Sequence, residues 1–165
     1  MNRAILLLAC FVLSACNTTK FGHAMNPQAS INSTLNSFHA AAANADFERY
    51  FATWTSQSVF LGTDATERWE GNAFKDFARP YFEKGQGWSY LPRDRHVSLS
   101  SDGNAAWFDE LLENEKYGTC RGSGVLLRDS QGGWTIVQYN LSFPIPNDLA
   151  AEVTTRVKTW KPPAK

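Results

Sequence analysis

Two adjacent carboxylates and one arginine are the residues whose types and spacing best suit chemistry in this chain. A hairpin with a three-residue turn at 114–116 places Asp109 opposite Arg121, and a two-residue turn makes Glu110 the opposite residue instead. Such a pair at the floor of a pocket can bind a ligand carboxylate or carbonyl, with Asp109 as base and Arg121 as electrostatic stabiliser. The same pair on an open sheet face is an ordinary surface ion pair, and both interpretations remain open.

Histidines offer a second route to acid-base chemistry. His96 lies in a strand-like segment and faces away from its neighbours Arg95 and Val97, so it is either a surface residue or a general base. His39 is a weaker candidate. No Cys and His cluster has zinc spacing and no glycine-rich phosphate loop is present, so neither a metal nor a cofactor is expected.

Aromatic residues are abundant, with six Trp, five Tyr and eleven Phe. Most should pack in the core, but a small domain that holds so many is expected to present some to a cavity. Together with the charged pair, the predicted pocket residues are Trp54, Phe60, Trp69, Tyr81, Trp88, Tyr90, Trp107, Asp109, Arg121, Tyr139 and Asn140.

The elements that must position these residues begin with helices. Polar N-caps followed by apolar residues at helical spacing predict four of them, starting at Asn26, Asp46, Asn72 and Asn147 and reaching about 43, 54, 82 and 160. We expect Pro80 to kink the third helix or split it. On the last helix, Val157 and Trp160 are expected to cover a sheet face or contact a neighbouring subunit.

Strand patterns fill the middle of the chain. Two short strands are predicted at 58–62 and 67–70, and four longer ones at about 88–99, 105–114, 118–128 and 134–143. Turn residues between the longer strands favour sequential hairpins, which form an antiparallel meander. The predicted class is therefore α+β, with N-terminal helices packed on one face of a curved antiparallel meander sheet and an extra C-terminal helix.

The order of these segments resembles the SnoaL-like branch of the nuclear-transport-factor-2-like superfamily. The resemblance covers about residues 27–145 and rests on the segments 105–110, 121–126 and 133–142. It implies a conical fold with a deep pocket, frequently a homodimer, in a family of isomerases, dehydratases, cyclases, ligand binders and assembly modules. Many members have histidine where this chain has Asn140, and asparagine cannot act as a general base. That departure counts against acid-base catalysis.

The N-terminus resembles a bacterial lipoprotein signal. Arg3 precedes an apolar run that closes with 13–16, Leu-Ser-Ala-Cys. The resemblance implies cleavage before Cys16 and acylation of that residue with diacylglycerol and a fatty acyl chain such as palmitate. An ordinary signal peptide cut near Ala15 is the alternative. Asn17 in place of aspartate implies an outer-membrane destination facing the periplasm, if the cell has an outer membrane. Cys120 is left without a partner for an intramolecular disulfide.

These observations predict four segments: a signal peptide at 1–15, a tether at 16–26, a SnoaL-like domain at 27–145, and a C-terminal helix and tail at 146–165. We expect a lipid-anchored protein of the cell envelope that binds a small, mostly apolar ligand or a partner protein. The alternative is a lyase or isomerase acting on a small carbonyl compound. A homodimer is expected through Val137, Tyr139 and Leu141. Sixteen basic and sixteen acidic residues balance, so no nucleic-acid partner is expected.

Overall fold

A computed structural model describes residues 26–161, which form an α+β fold as predicted. The elements in chain order are α1 Pro27–Ala43, α2 Phe47–Phe51, β1 Trp54–Leu61, β2 Arg68–Glu70, α3 Asn72–Phe82, β3 Leu91–Leu99, β4 Ala105–Asn114, β5 Gly118–Arg128, β6 Trp134–Ser142 and α4 Ala150–Thr159. A turn of 3-10 helix, Asn147–Leu149, precedes α4. The predicted signal peptide, Cys16 and all but the last residue of the tether lie outside the described residues.

Side-chain caps start the first two helices as the sequence predicts. The Asn26 side chain accepts a hydrogen bond from the Gln28 amide at 3.0 Å, and Asp46 accepts one from the Arg49 amide at 3.1 Å. The third helix differs, because its N-cap is Gly71 at φ 45° and Asn72 is already helical. A β-carbon at Gly71 would collide with the Ser56 carbonyl oxygen, so glycine is required there.

One predicted helix end was wrong. Helix α2 stops at Phe51 and Trp54 begins β1, since the Thr53 carbonyl accepts a bond from the Ile136 amide at 2.8 Å and the chain joins the sheet. Helix α3 ends at Phe82, as predicted, and continues through Pro80. A proline this near the helix end lacks only one interior hydrogen bond, and the helix is not divided there.

The six strands form one mixed sheet in the order β2-β1-β6-β5-β4-β3. Strands β3 to β6 make the predicted antiparallel meander. Strand β1 pairs parallel to β6, a contact between distant parts of the chain that hairpin signals could not predict. Helices α1 to α3 cover one face, called here the inner face, and enclose an aromatic core that includes Phe38, Tyr50, Trp54, Phe60, Phe74 and Tyr139.

The hairpin between β4 and β5 has a different register from both alternatives considered above. Asn114 pairs with Gly118, so that Leu111 lies opposite Arg121 and Asp109 lies opposite Ser123. The loop is 115–117, and it is closed by the Asn114 side chain, which accepts bonds from the two amides of Lys116 and Tyr117 at 3.0 and 2.9 Å. The predicted facing pair was therefore wrong.

A β-bulge in β3 reverses the direction of one critical side chain. Arg93 pairs with Leu111 and His96 pairs with Asp109, so the chain holds one extra residue between them. The bulge is formed at Asp94, whose backbone has a φ of 47°. The bulge turns Arg95 to the inner face, which is the kind of re-aiming that bulges produce.

A second bulge lies at Val137 in β6, the first residue of the predicted dimer surface. Beyond it Tyr139 lies against the inner face, only 3% exposed, and Leu141 lies on the same side. The predicted dimer surface was therefore wrong, since two of its three residues point toward the helices. Val157 and Trp160 do not cover a sheet face, being 70% and 69% exposed. Across residues 26–161, no helix has both the length and the apolar character to span a bilayer.

Candidate functional site

A cavity of about 270 Å³ lies between the helices and the inner face of the sheet. Its lining comes from α1, α2 and α3, from β1, β2 and β6, and from the segments around Trp88 and Tyr117. The walls are mostly aromatic, formed by Phe38, Tyr50, Phe60, Trp69, Phe74, Phe77, Trp88, Tyr90, Tyr117, Tyr139 and Phe143. Stacked rings hold parts of this wall rigid, with 4.2 Å between the centroids of Phe60 and Phe74.

Five of the predicted pocket residues line the cavity: Phe60, Trp69, Trp88, Tyr90 and Tyr139. The others do not. Trp54 packs within the core, Tyr81 is 45% exposed, and Asn140 lies on the outer face of the sheet.

The charged residues singled out in the sequence also lie on the outer face. Asp109, Arg121 and Trp107 occupy odd positions of β4 and β5, which alternate with the buried positions. His96 pairs with Asp109 on that side and is likewise exposed. The pair of Asp109 and Arg121 therefore does not form a pocket floor.

The buried acidic group is Glu110, the neighbour of Asp109, whose side chain is fully buried. Its Oε1 atom accepts a hydrogen bond from His39 Nε2 at 2.6 Å and a longer one from the Tyr139 hydroxyl at 3.4 Å. Its Oε2 atom accepts from Arg95 Nε at 2.6 Å. Donors from α1, β3 and β6 thus converge on one carboxylate in β4.

Two further features make this arrangement possible. Arg95 also donates to the Asn36 side chain at 2.8 Å and to the Asn32 carbonyl at 3.3 Å, which ties α1 to the sheet. Gly122 lies opposite Glu110 and leaves the space that Tyr139 and Glu110 occupy, because a β-carbon at Gly122 would collide with the Tyr139 hydroxyl. A buried charge is tolerated only when it is paired and hydrogen-bonded, and these contacts supply both.

The surroundings keep Glu110 ionised. Burial alone would raise its pKa, but the hydrogen bond from His39 and the guanidinium of Arg95 outweigh burial and hold the pKa below its usual value. Burial raises the pKa of Tyr139, and the adjacent charge of Glu110 raises it further, so its hydroxyl stays a neutral donor. Tyr50 is also buried, which raises its pKa, and its hydroxyl donates to no acceptor within the described residues.

His39 connects this buried network with the cavity, which it lines. Because a carboxylate can only accept, the neutral imidazole must carry its proton on Nε2, and Nδ1 is left as an acceptor. Among residues 26–161, Nδ1 has no hydrogen-bond partner. His39 and Tyr50 both line the cavity, so the site combines a proton acceptor at Nδ1 with a buried hydroxyl that donates to no acceptor among the described residues. No group of three or more potential metal ligands occurs within the same residues.

The sequence contained a signal for His39 but none that separated Glu110 from Asp109. His39 falls on the apolar face of α1, since Leu35, His39 and Ala42 follow helical spacing and are all buried. A polar residue on an apolar face needs a buried partner. Glu110 alternates with apolar residues on the buried face of β4, but Asp109 alternates with apolar residues on the other face, so spacing alone did not identify the partner.

The comparison with protein families identifies the fold. The model of the SnoaL-like domain matches residues 31–146, and the chain belongs to this family. No curated protein matches the chain significantly in sequence.

Solved structures agree on the architecture. The chain is similar to an NTF2-like protein of unknown function from Pseudomonas putida, with 15% identity, a TM-score of 0.60, and coverage of 73% of this chain and 88% of that one. It is also similar to a candidate dehydratase of the NTF2-like family from Streptomyces avermitilis, with 13% identity, a TM-score of 0.61, and coverage of 73% and 100%. A candidate ketosteroid isomerase from Shewanella frigidimarina matches at 13% identity and a TM-score of 0.55, with coverage of 71% and 98%. At these identities the likeness shows the fold alone.

Replacing Glu110 by glutamine tests whether the buried carboxylate stabilises the fold. We expect Glu110→Gln to lower the free energy of unfolding by about 3–5 kcal/mol, because Arg95 would keep a buried charge without its counter-charge. Chemical denaturation at neutral pH measures the loss. Glu113→Gln is the matched control, since Glu113 pairs with Arg93 at the surface and its loss should change stability little.

The pH dependence of the free energy of unfolding tests whether Glu110 stabilises the fold in its ionised form. The pKa of Glu110 is lower in the folded protein than in the unfolded chain, so its stabilising effect is present above the usual value of 4.5 and is lost as the pH falls through the folded value. The difference in stability between the unchanged chain and Glu110→Gln should therefore shrink in acid. A difference that stayed constant, or equal losses for Glu110→Gln and Glu113→Gln, would contradict the assignment.

Proposed function

We propose that the domain binds a small, mostly apolar ligand in the aromatic cavity. The observation that carries this proposal is the cavity itself, whose walls are mostly aromatic rings. Its volume of about 270 Å³ lies near the lower end of the range for ligand pockets. A compact, flat molecule whose faces contact the stacked rings would suit these walls better than a long or branched one.

Polar groups in the cavity suggest one polar end on the ligand. The buried Tyr50 hydroxyl donates to no acceptor within residues 26–161, and a buried hydroxyl without such a bond costs about 1–3 kcal/mol. A ligand oxygen that accepted its hydrogen bond would remove that cost. A ligand hydroxyl could also donate to Nδ1 of His39. The proposed ligand therefore combines an apolar body with a hydroxyl or carbonyl group.

Filling the cavity should abolish binding. Leu141 lines the cavity and Asn140, its neighbour in β6, lies on the outer face. We expect Leu141→Trp to weaken binding of a flat fluorescent apolar probe at least about tenfold, because the larger ring occupies ligand space. Asn140→Trp, which adds the same ring outside, should bind as the unchanged chain does. Titration of probe fluorescence measures both, and equal affinities for the two variants would place binding elsewhere.

The contact between His39 and Glu110 favours a second candidate function, an acid-base enzyme of the lyase or isomerase type. Nδ1 of His39 would take a proton from the carbon next to a carbonyl, giving an imidazolium paired with Glu110 and an enolate whose oxygen accepts a bond from Tyr50. The proton would return to another carbon in an isomerase, or a hydroxyl group would leave as water in a lyase. These residues take the roles that the sequence assigned to Asp109 and Arg121.

A pair of variants separates binding from catalysis. If the domain is an enzyme, molecules eluted from the native protein should be converted on incubation with it, and His39→Gln should slow conversion by about 10²–10⁴-fold while still binding them. Asp109→Asn, on the outer face, should leave the rate unchanged. Mass spectrometry and hydrogen-deuterium exchange at the ligand carbon follow the reaction. A rate unaffected by His39→Gln would eliminate the catalytic role, and full retention of an unconverted ligand would favour binding.

We also propose that the domain is anchored to the cell envelope through acylated Cys16. The proposal rests on the lipoprotein-like leader and the polar segment that follows it. We expect Cys16→Ser to release the protein from washed membranes while leaving the fold intact, because acyl chains supply the stable part of such anchoring. Fractionation in high salt followed by immunoblotting measures the release. A Cys16→Ser protein that stayed with membranes after the salt wash would refute the anchor.

A further inference from the structure

The C-terminal helix α4 is the least packed helix of the described chain. None of its residues is buried, and its main neighbour is the 3-10 turn before it. Val157 is 70% exposed, and Trp160, which ends the helix, is 69% exposed. A large apolar side chain left in water forgoes the stabilisation that burial would provide. Within residues 26–161, α4 and Trp160 therefore present an apolar face without a partner.

Helix α4 is also too weak to stand alone. It has ten residues, and isolated helices shorter than about 12–15 residues are marginal in water. Half of its residues are β-branched, which lowers helix propensity further: Val153, Thr154, Thr155, Val157 and Thr159. A surface that covers its apolar face would supply the missing stability.

The charges beside this face indicate what that surface is. Lys158 and Lys161 flank Trp160, and neither forms an ion pair within residues 26–161, whereas Arg156 pairs with Glu152 at 3.0 Å. Tryptophan and lysine beside an apolar helical face are typical of helices that lie in the headgroup region of a membrane. Lysine ammonium groups next to the apolar residues match anionic phosphates. The outer face of the sheet, where a second copy could bind, carries both charges, with Arg121 near Asp109.

We propose that α4 lies on an anionic lipid surface. Val157 and Trp160 enter the headgroup region, and Lys158 and Lys161 contact lipid phosphates. The inference is independent of the cavity ligand, because it rests on α4 alone and its test needs no ligand.

Docking in this way would bring the cavity close to the bilayer. The rim of the cavity includes three aromatic residues that are 40–49% exposed, Phe77, Tyr117 and Phe143. Asn147, where the 3-10 turn begins, follows Phe143 by four residues, a span of at most about 14 Å. An apolar molecule dissolved in the bilayer would then have a short path to the rim. Docking of α4 on the bilayer would therefore help an apolar ligand to enter the cavity from the membrane.

Vesicle binding tests the proposal on the chain from residue 21 onward. This chain lacks the leader and keeps the whole core, since the described core residues lie between Ile31 and Tyr139. We expect it to sediment with vesicles of phosphatidylglycerol and phosphatidylethanolamine, to be released by high salt, and to bind phosphatidylcholine vesicles far less. Lys158→Gln with Lys161→Gln should weaken binding about 25-fold, about fivefold for each lysine. Trp160→Ala should weaken it as well and lose quenching by brominated lipid.

The matched control is Arg121→Gln with Arg128→Gln, which removes two exposed charges elsewhere and should bind as the unchanged chain does. Circular dichroism establishes that each variant is folded. Equal binding to anionic and neutral vesicles, or equal weakening by the control, would overturn the proposal. So would a dimer in light scattering that Trp160→Glu converts to monomer, because α4 would then be covered by a second copy.

Discussion

One buried carboxylate sets the conditions for the rest of this structure. Glu110 has no solvent around it, so every lone pair that it presents needs a protein donor. The donors come from an imidazole in α1, a guanidinium in β3 and a hydroxyl in β6, which fixes these elements relative to β4. The β3 bulge at Asp94 turns the guanidinium inward, and Gly122 leaves the space above the carboxylate. The β3 bulge and the glycine at 122 are therefore both explained by the need to pair and hydrogen-bond one buried charge.

The cavity follows from the same constraint. Helix α1 is held to the sheet near Glu110 through His39 and through the contacts of Arg95 with Asn36. The same helix contributes Phe38 and Ala42 to the cavity wall, while aromatic packing among α2, α3 and β1 closes the sides. The polar network thus adjoins the cavity through His39 and Tyr139, which both line it. A scaffold of this kind serves either a binding pocket or an acid-base site, and the difference lies in how His39 meets the ligand.

Local chemistry explains which features could be predicted from the sequence. Signals within short segments predicted the caps at Asn26 and Asp46, the meander and the family fold. The structure and the family comparison confirm these predictions. The parallel pairing of β1 with β6 depends on residues far apart in the chain. The sequence favoured Asp109 over Glu110, its neighbour, because it took the wrong face of β4 as the buried one. Alternation could not decide between them, since Asp109 lies between Trp107 and Leu111, and Glu110 lies between the equally apolar Phe108 and Leu112.

The protonation of His39 is the most direct test of the central claim, that Glu110 holds this imidazole so that it presents an acceptor to the cavity. Nitrogen-15 NMR of the histidine side chains near neutral pH distinguishes the two ring nitrogens. We predict a protonated Nε2 and an unprotonated Nδ1 for His39 in the unchanged protein, with loss of this fixed tautomer in Glu110→Gln. A protonated Nδ1 with a bare Nε2, or a mixture of the two tautomers, would contradict the claim.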